Sequence, residues 1–512
     1  MQKLSDKIFL SSFIILAGFI LVKISSFIRE LSLAYAYGAS IVSDSFIAAS
    51  AIPGLLLGFI TSGIGNTFIA QFSYIETKER QNKYTSSLFT LFSLISIVLT
   101  IAILLFPRFF LMVIASKAPM ETIELGSKLL RWMSICTIPL ILTSILKARL
   151  QIHGKFFIST CYHVIINVCV IAGILSAKRT ETTLYMAYGM IFGELICFII
   201  LMITNYRTDL RVRFIIDFHE DYIHKFFILI APIVLSTALT ELNKVVDRTM
   251  ASSLAVGTIT MLSYSSKLTG LFNSTIVFSV VTAMYPTLVR NVANGGTDAM
   301  KKTISKVARV ILLFILPVLI GAIILAKPLT RIVFERGDFT RVNTLETSAF
   351  LRWYAPTIIT AGATDIQSRA FYAIGNTRRP ALISAGCVFL NILLNVFLIK
   401  PLGGRGLALS TSIAGVAATV LLSLYLHREI GSIQIFKQKS DWLKLGISLI
   451  IMSLFVLVGV HFFQLMNNDY MKCLVQTAML IICAVFIYWG MLSLLKMEAA
   501  RIRLGNLIKR IS

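Results

Sequence analysis

In the stretch FIRELSLAYAYGASIVSDSFIAASAIPGLL, residues 27–56, two apolar runs carry Arg29, Glu30 and Asp44, and Pro53-Gly54 interrupts the second run. Just upstream, Lys23, Phe27 and Glu30 stand at i, i+4 and i+7, one face of a helix, with Arg29 beside it. An ionisable group inside a bilayer costs about 3 kcal/mol or more, so it faces a partner or a wet cavity. The chemistry open to such groups is to hold a solute of opposite charge. Other charges in apolar surroundings are Glu194, Glu241, Asp247, Lys267, Asp365 and Arg369. Snorkelling to the headgroups or a local ion pair accounts well for Arg149 and Arg369, which lie near helix ends. Lys23 and Lys267, with apolar residues on both sides, fit that account poorly and are candidate cavity cations. Pro53 removes a backbone hydrogen bond and Gly54 loosens the same turn, so a kink or break is expected there. Broken membrane helices are tolerated where they line protein or a cavity.

Covalent chemistry has little to stand on. The chain has no H-E-x-x-H, no G-x-x-x-x-G-K-[ST] and no G-x-S-x-G, and its six histidines are scattered. Seven cysteines (Cys136, Cys161, Cys169, Cys197, Cys387, Cys473, Cys483) lie in apolar windows without paired spacing and read as packing residues. GGRG at 403–406 lacks a strand-to-helix context, and RGD at 336–338 reads as an extracytoplasmic turn. Without a nucleotide motif, transport would be driven by an ion gradient or the membrane potential.

The elements that position these residues are membrane helices. Hydrophobic residues make up 57% of the 512 and charged ones 14%, and the mean hydropathy is +0.83; that is the composition of an integral membrane protein. About fourteen windows reach the roughly 20 apolar residues that span a bilayer. They run near 8–28, 45–72, 85–106, 129–150, 156–177, 184–204, 225–246, 259–288, 308–326, 347–370, 380–399, 406–426, 443–464 and 472–495. The first is too long for a signal peptide and has no small-residue cleavage motif. With the N-terminus inside, cytoplasmic segments hold roughly 29 Lys and Arg against roughly 16 outside, which predicts both termini in the cytoplasm. The net charge of +24 gathers in loops such as 207–225, 290–309 and 428–444 and in the tail 496–510. Topology and contact with anionic lipid explain these clusters better than nucleic-acid binding.

The chain also repeats. LRWMS at 130–134 recurs as LRWYA at 351–355, KARLQIHGK around Arg149 aligns with QSRAFYAIGN around Arg369, and Asn167 falls near Asn391. RELSLAYAYGAS around Gly38 resembles DRTMASSLAVGT around Gly257. The reading is an all-α polytopic membrane protein with two pseudo-repeated six-helix lobes, 1–215 and 216–430. Residues 431–512 add an unpaired helix pair and a basic tail. Parallel repeats of this kind surround a cavity that opens alternately to either side.

The opening stretch resembles the signature of the MurJ (MviN) family of bacterial lipid II flippases, in the multidrug/oligosaccharidyl-lipid/polysaccharide exporter superfamily. VDRTMAS at 246–252, LSYSSKLTGL at 262–271, AMYPTL at 283–288, ERGDFT at 335–340, RAFYAIGNTRRP at 369–380 and GGRGLALSTSI at 403–413 agree in order. The resemblance covers 1–430 and implies two six-helix lobes, plus a last helix pair beside a groove for the lipid tail. It implies that Arg29 and Lys267, from opposite lobes, bind the substrate diphosphate, with Lys23, Glu30 and Asp44 as further substrate-site residues. Lys267 replaces an Arg usual in the family, which keeps the charge and loses the bidentate fork. Ala51 stands where the family commonly has Arg. Some members resemble sodium-linked transporters; the matching positions here are Asp247, Asn391, Asn395 and Thr411, with Asn395 in place of an acid.

The resemblance therefore implies a transporter of the bacterial inner membrane, not an enzyme. It would flip the lipid-linked peptidoglycan precursor lipid II outward by alternating access, as a monomer, with sodium or the membrane potential as the coupling source. The alternatives are export of another polyprenyl diphosphate-linked oligosaccharide, export of cationic drugs, a membrane glycosyltransferase or ligase, and a non-transporting cell-wall scaffold. Drug export calls for an acidic cavity, and the enzyme for a large outside loop with carboxylates; the sequence supplies neither.

Overall fold

The computed structural model describes residues 2–56, 58, 62–72, 74–208, 212–215, 221–273, 278–436, 438–466 and 469–497. The described residues are helical almost throughout, and every apolar window falls on helix. They form α1 (Gln2–Tyr37), α2 (Ile41–Leu56), α3 (Ser62–Phe72), α4 (Lys78–Leu105), α5 (Pro107–Ala115), α6 (Met120–Met133), α7 (Thr137–Ile152), α8 (Phe156–Thr180), α9 (Leu184–Tyr206) and α10 (Asp221–Ala251). There follow α11 (Thr258–Phe272), α12 (Phe278–Ile324), α13 (Ala326–Phe334), α14 (Arg341–Tyr354), α15 (Thr357–Ala373), α16 (Arg378–Leu402), α17 (Gly404–Ile430), α18 (Lys439–Phe463) and α19 (Tyr470–Leu494). Among the described residues, nine helices are long and apolar enough to cross a bilayer.

Two compact units result. Unit 1 comprises Met1–Thr260 with Arg336–Thr340, and unit 2 comprises Met261–Glu335 with Arg341–Ser512. The repeat is visible in element lengths. α5 and α13 are both 9 residues long, α6 and α14 both 14, and α8 and α16 both 25. α18 and α19 have no counterpart; they pack on α12 and α13 of unit 2. A buried cluster that includes Leu313, Leu449, Met452, Leu480 and Leu492 holds them there, and Tyr488 donates to the Leu313 carbonyl at 2.9 Å.

Two helices are described within the window at 45–72. α2 runs through Pro53 as far as Leu56, and α3 restarts at Ser62. Pro53 itself lies within α2, and residues 57 and 59–61, the next turn, where the expected kink or break would come, lie outside the described residues. α10 is the first helix of the second repeat by sequence, yet it packs on α3 and α5 of unit 1. The reason is local shape. A Cβ on Gly63 of α3 would stand 2.8 Å from Ile230 and 3.0 Å from Val234, so α10 lies closely against a notch in α3.

Candidate functional site

α1 packs along α8, and that contact gives Arg29 its setting. Its guanidinium donates to Asn167 Oδ1 on α8 at 3.2 Å and to Glu30 Oε1 at 2.9 Å. Asn167 in turn donates to Ser25 Oγ at 2.9 Å and Ser26 Oγ at 3.0 Å, both on α1. Asn167 and Glu30 are buried, while the Arg29 side chain keeps 33% of its surface exposed. The result is a cation fixed in orientation by buried partners and still open on one side, the state an anion-binding group needs.

Two further side chains belong to the same place. His163 lies one turn before Asn167 on α8, and its ring stacks on Tyr162 with centroids 4.2 Å apart. Lys147 of α7 stands over the Tyr162 ring, 5.9 Å from its centroid. Sequence reading missed Asn167, His163 and Lys147 as site residues. The available signal was their presence in apolar runs, and for Lys147 its place at the head of the repeated KARLQIHGK segment.

The other expected site residues are distributed differently. Lys23 is exposed on α1. Lys267 is half-buried on α11 in unit 2. Asp44 is fully engaged by backbone and hydroxyl. Its Oδ2 accepts from Gly257 N at 2.7 Å, and its Oδ1 accepts from Thr260 N at 2.9 Å and Thr260 Oγ1 at 2.6 Å. It thus satisfies the otherwise open amides at the start of α11 and ties them to α2. Arg149 does not snorkel. It is buried and donates to Thr208 Oγ1 at 2.9 Å and Thr208 O at 3.2 Å, where the carbonyls at the end of α9 lack helical partners. Arg369 makes the local pair expected of it, with Asp365 at 3.2 Å.

Of the residues named for sodium, Asn391, Asn395 and Thr411 are brought together in unit 2, and Asp247 belongs to unit 1. Asn391 Nδ2 donates to Thr411 Oγ1 at 3.2 Å, Asn395 Nδ2 donates to Asn391 Oδ1 at 3.0 Å, and Ser410 Oγ donates to Asn395 Oδ1. Both amide oxygens already accept hydrogen bonds from within the cluster. All seven cysteines are free.

Each unit also has a cavity. In unit 2 an apolar one of about 540 Å³ is lined by Ile304, Ile311, Ile366, Val416, Leu426 and Trp442. In unit 1 one of about 770 Å³ lies among Gln71, Tyr74, Arg80, Tyr222 and Lys225.

A repeated helical membrane bundle with an oriented cation among its helices is the arrangement of a transporter of charged solutes. Solved structures agree on the fold. One described as lipid II flippase MurJ in an inward-closed conformation superposes with a TM-score of 0.82 at 24% identity, covering 96% of this chain and 100% of that one. An inward-facing multidrug resistance transporter of the MATE family, MOP superfamily, gives 0.68 at 12% identity, covering 83% of this chain and 99% of that one. Residues 33–476 match the sequence model of the family described as lipid II flippase MurJ, so the chain belongs to that family. A probable lipid II flippase MurJ of Rickettsia prowazekii is 27% identical over 499 residues, covering 93% of this chain and 95% of the relative.

Proposed function

We propose that this protein flips lipid II from the cytoplasmic to the outer leaflet of the bacterial inner membrane by alternating access. Membership of the flippase family supports the reaction class. The observation that carries the reading is Arg29, a cation within an apolar bundle that is tethered by Asn167 and Glu30 and one-third exposed. A diphosphate is a doubly charged anion with planar sets of acceptor oxygens, and a guanidinium matches that geometry. The apolar cavity of unit 2 offers hydrocarbon a place as well, which suits a polyprenyl tail. Alternating access follows if the head group binds the closed state more strongly than the open one. In this reading both termini face the cytoplasm, and the protein works as a monomer.

A second reading, export of another polyprenyl diphosphate-linked oligosaccharide, is favoured by one observation. Ala51, at the position where an Arg is common in the family, is a buried apolar residue, 6% exposed, and supplies no phosphate contact. The test is to deplete a bacterium of its own lipid II flippase, express this protein, and measure how much lipid II becomes accessible to an externally added cleaving enzyme. Restored accessibility that is lost in Arg29→Ala and Lys267→Ala is the expected result. No restoration despite membrane expression would overturn lipid II as substrate in favour of the second reading.

A further inference from the structure

Arg29 supplies one positive charge and shares it with Glu30, paired at 2.9 Å, whose carboxylate is buried. A diphosphate diester carries two negative charges, and one shared guanidinium does not offset them. A second positive charge in unit 1 has to come from elsewhere, and the side chain in place to supply it is Lys147.

We propose that Lys147 and His163 complete, with Arg29, a single anion-binding patch within unit 1 that receives the diphosphate. The inference rests on the lipid-linked diphosphate reading and adds to it the residues that make the site net positive. Three helices build the patch: α1 brings Arg29, α7 brings Lys147 and α8 brings His163. α8 is the common floor. Asn167 holds Arg29 from it, His163 lies four residues earlier on the same face, and Tyr162 beneath His163 carries Lys147 on its ring.

Lys147 is half-buried, as is His163. Lys147 stands five residues before the end of α7, and a lysine enclosed among apolar helices is retained where it meets an anion or a cavity. A weak cation–π contact with Tyr162 fixes its direction without neutralising it. The division of labour follows from the side chains. Arg29 gives planar, directional donors, Lys147 gives a point charge that follows the phosphate oxygens, and His163 gives an N–H between them.

The test uses the full chain in lipid nanodiscs with polyprenyl diphosphate as the probe and the uncharged polyprenol as its control. Affinities are measured for the unsubstituted protein and for Lys147→Gln, Lys147→Met, Lys147→Arg, His163→Gln and Arg29→Ala, each with its melting temperature. Loss of a charged contact to phosphate corresponds to roughly tenfold to hundredfold weaker binding. That loss is expected for Lys147→Gln and Lys147→Met, with polyprenol binding unchanged. Lys147→Arg is expected to bind within a fewfold of the unsubstituted protein, and His163→Gln to show a smaller loss. Diphosphate affinity within twofold of the original in the Lys147→Gln and Lys147→Met proteins, while Arg29→Ala binds poorly, would overturn the patch and leave the functional reading intact. A chain that prefers neither lipid would overturn both. If Lys147 only props Tyr162, melting temperatures fall with no selective loss of diphosphate, which also overturns the proposal.

Discussion

At the scale of single residues, the charges in the opening stretch divide into one with an open face and one that is fully engaged. Arg29 keeps an open face, whereas Asp44 is buried and takes three donors from Gly257 and Thr260. Replacing a carboxylate that accepts three buried bonds leaves donors unpaired, at about 1–3 kcal/mol for each. Asp44→Ala is therefore expected to lower the melting temperature and to open the 252–258 segment to protease, with polyprenyl diphosphate affinity held within about twofold. A variant with unchanged stability and lost affinity would instead make Asp44 a substrate ligand, the role its place in the family motif suggests. Sequence showed that Asp44 was costly to bury. It could not show why, because the partners lie more than 200 residues away, at Gly257 and Thr260. Arg29 was legible as a charge in an apolar run, and its tether to Asn167 was not, since that contact exists only once α1 lies along α8.

Among the helices and their connections, the end of α1 carries a close join. The segment 336–340 leaves unit 2 in sequence and docks on unit 1. Asp338 N donates to the Tyr35 carbonyl at 3.0 Å, and Asp338 pairs with Lys178 of α8. The RGD turn is thus a strap on α1. Two glycines meet there. Gly38 has φ +57 and a Cβ on it would stand 2.3 Å from the Asp338 carbonyl oxygen; Gly337 has φ +59 and the equivalent atom would stand 2.2 Å from the Tyr35 carbonyl oxygen. Gly375, by contrast, has φ +79 and nothing within 4 Å. Alanine at Gly375 should lose about 1–2 kcal/mol, the backbone strain alone. Alanine at Gly38 or Gly337 should lose more, since the facing backbone must move. Thermal unfolding of the three variants, with maleimide labelling of an Asp338→Cys reporter, checks this; equal losses at Gly38 and Gly375 would mean that the strap is not held by the glycine contact. Helix positions were readable from hydropathy because each apolar run must satisfy its own backbone in lipid. The strap was not, because a five-residue turn has no periodicity to reveal its partner.

For the whole molecule, the repeat accounts for helix order and also for where the two halves have diverged. Asn167 and Asn391 are buried at related places on α8 and α16, and each donates to hydroxyls on a neighbouring helix. In unit 1 that amide goes on to hold a cation, Arg29; in unit 2 it joins a neutral cluster with Asn395, Ser410 and Thr411. Sequence made the kinship of the two halves visible, but a neutral clasp and a cation tether begin with the same Asn, so their different uses emerge only from the packing. The asymmetry bears on the driving force. The membrane potential is the proposed drive, acting on whatever net charge crosses. Moving one charge through 100 mV is worth about 2.3 kcal/mol. A bare diphosphate would gain about 4–5 kcal/mol per 100 mV, and any cation that moves with it reduces the gain. In proteoliposomes with a potassium diffusion potential, an inside-negative voltage is expected to accelerate outward flipping, with a slope below that for two charges. Lys147→Gln should steepen the slope if Lys147 travels with the head group, while lowering affinity. Replacing sodium by choline at fixed potential should leave the rate unchanged; a rate that follows sodium and ignores voltage would place the coupling elsewhere, with Asp247 the first carboxylate to substitute.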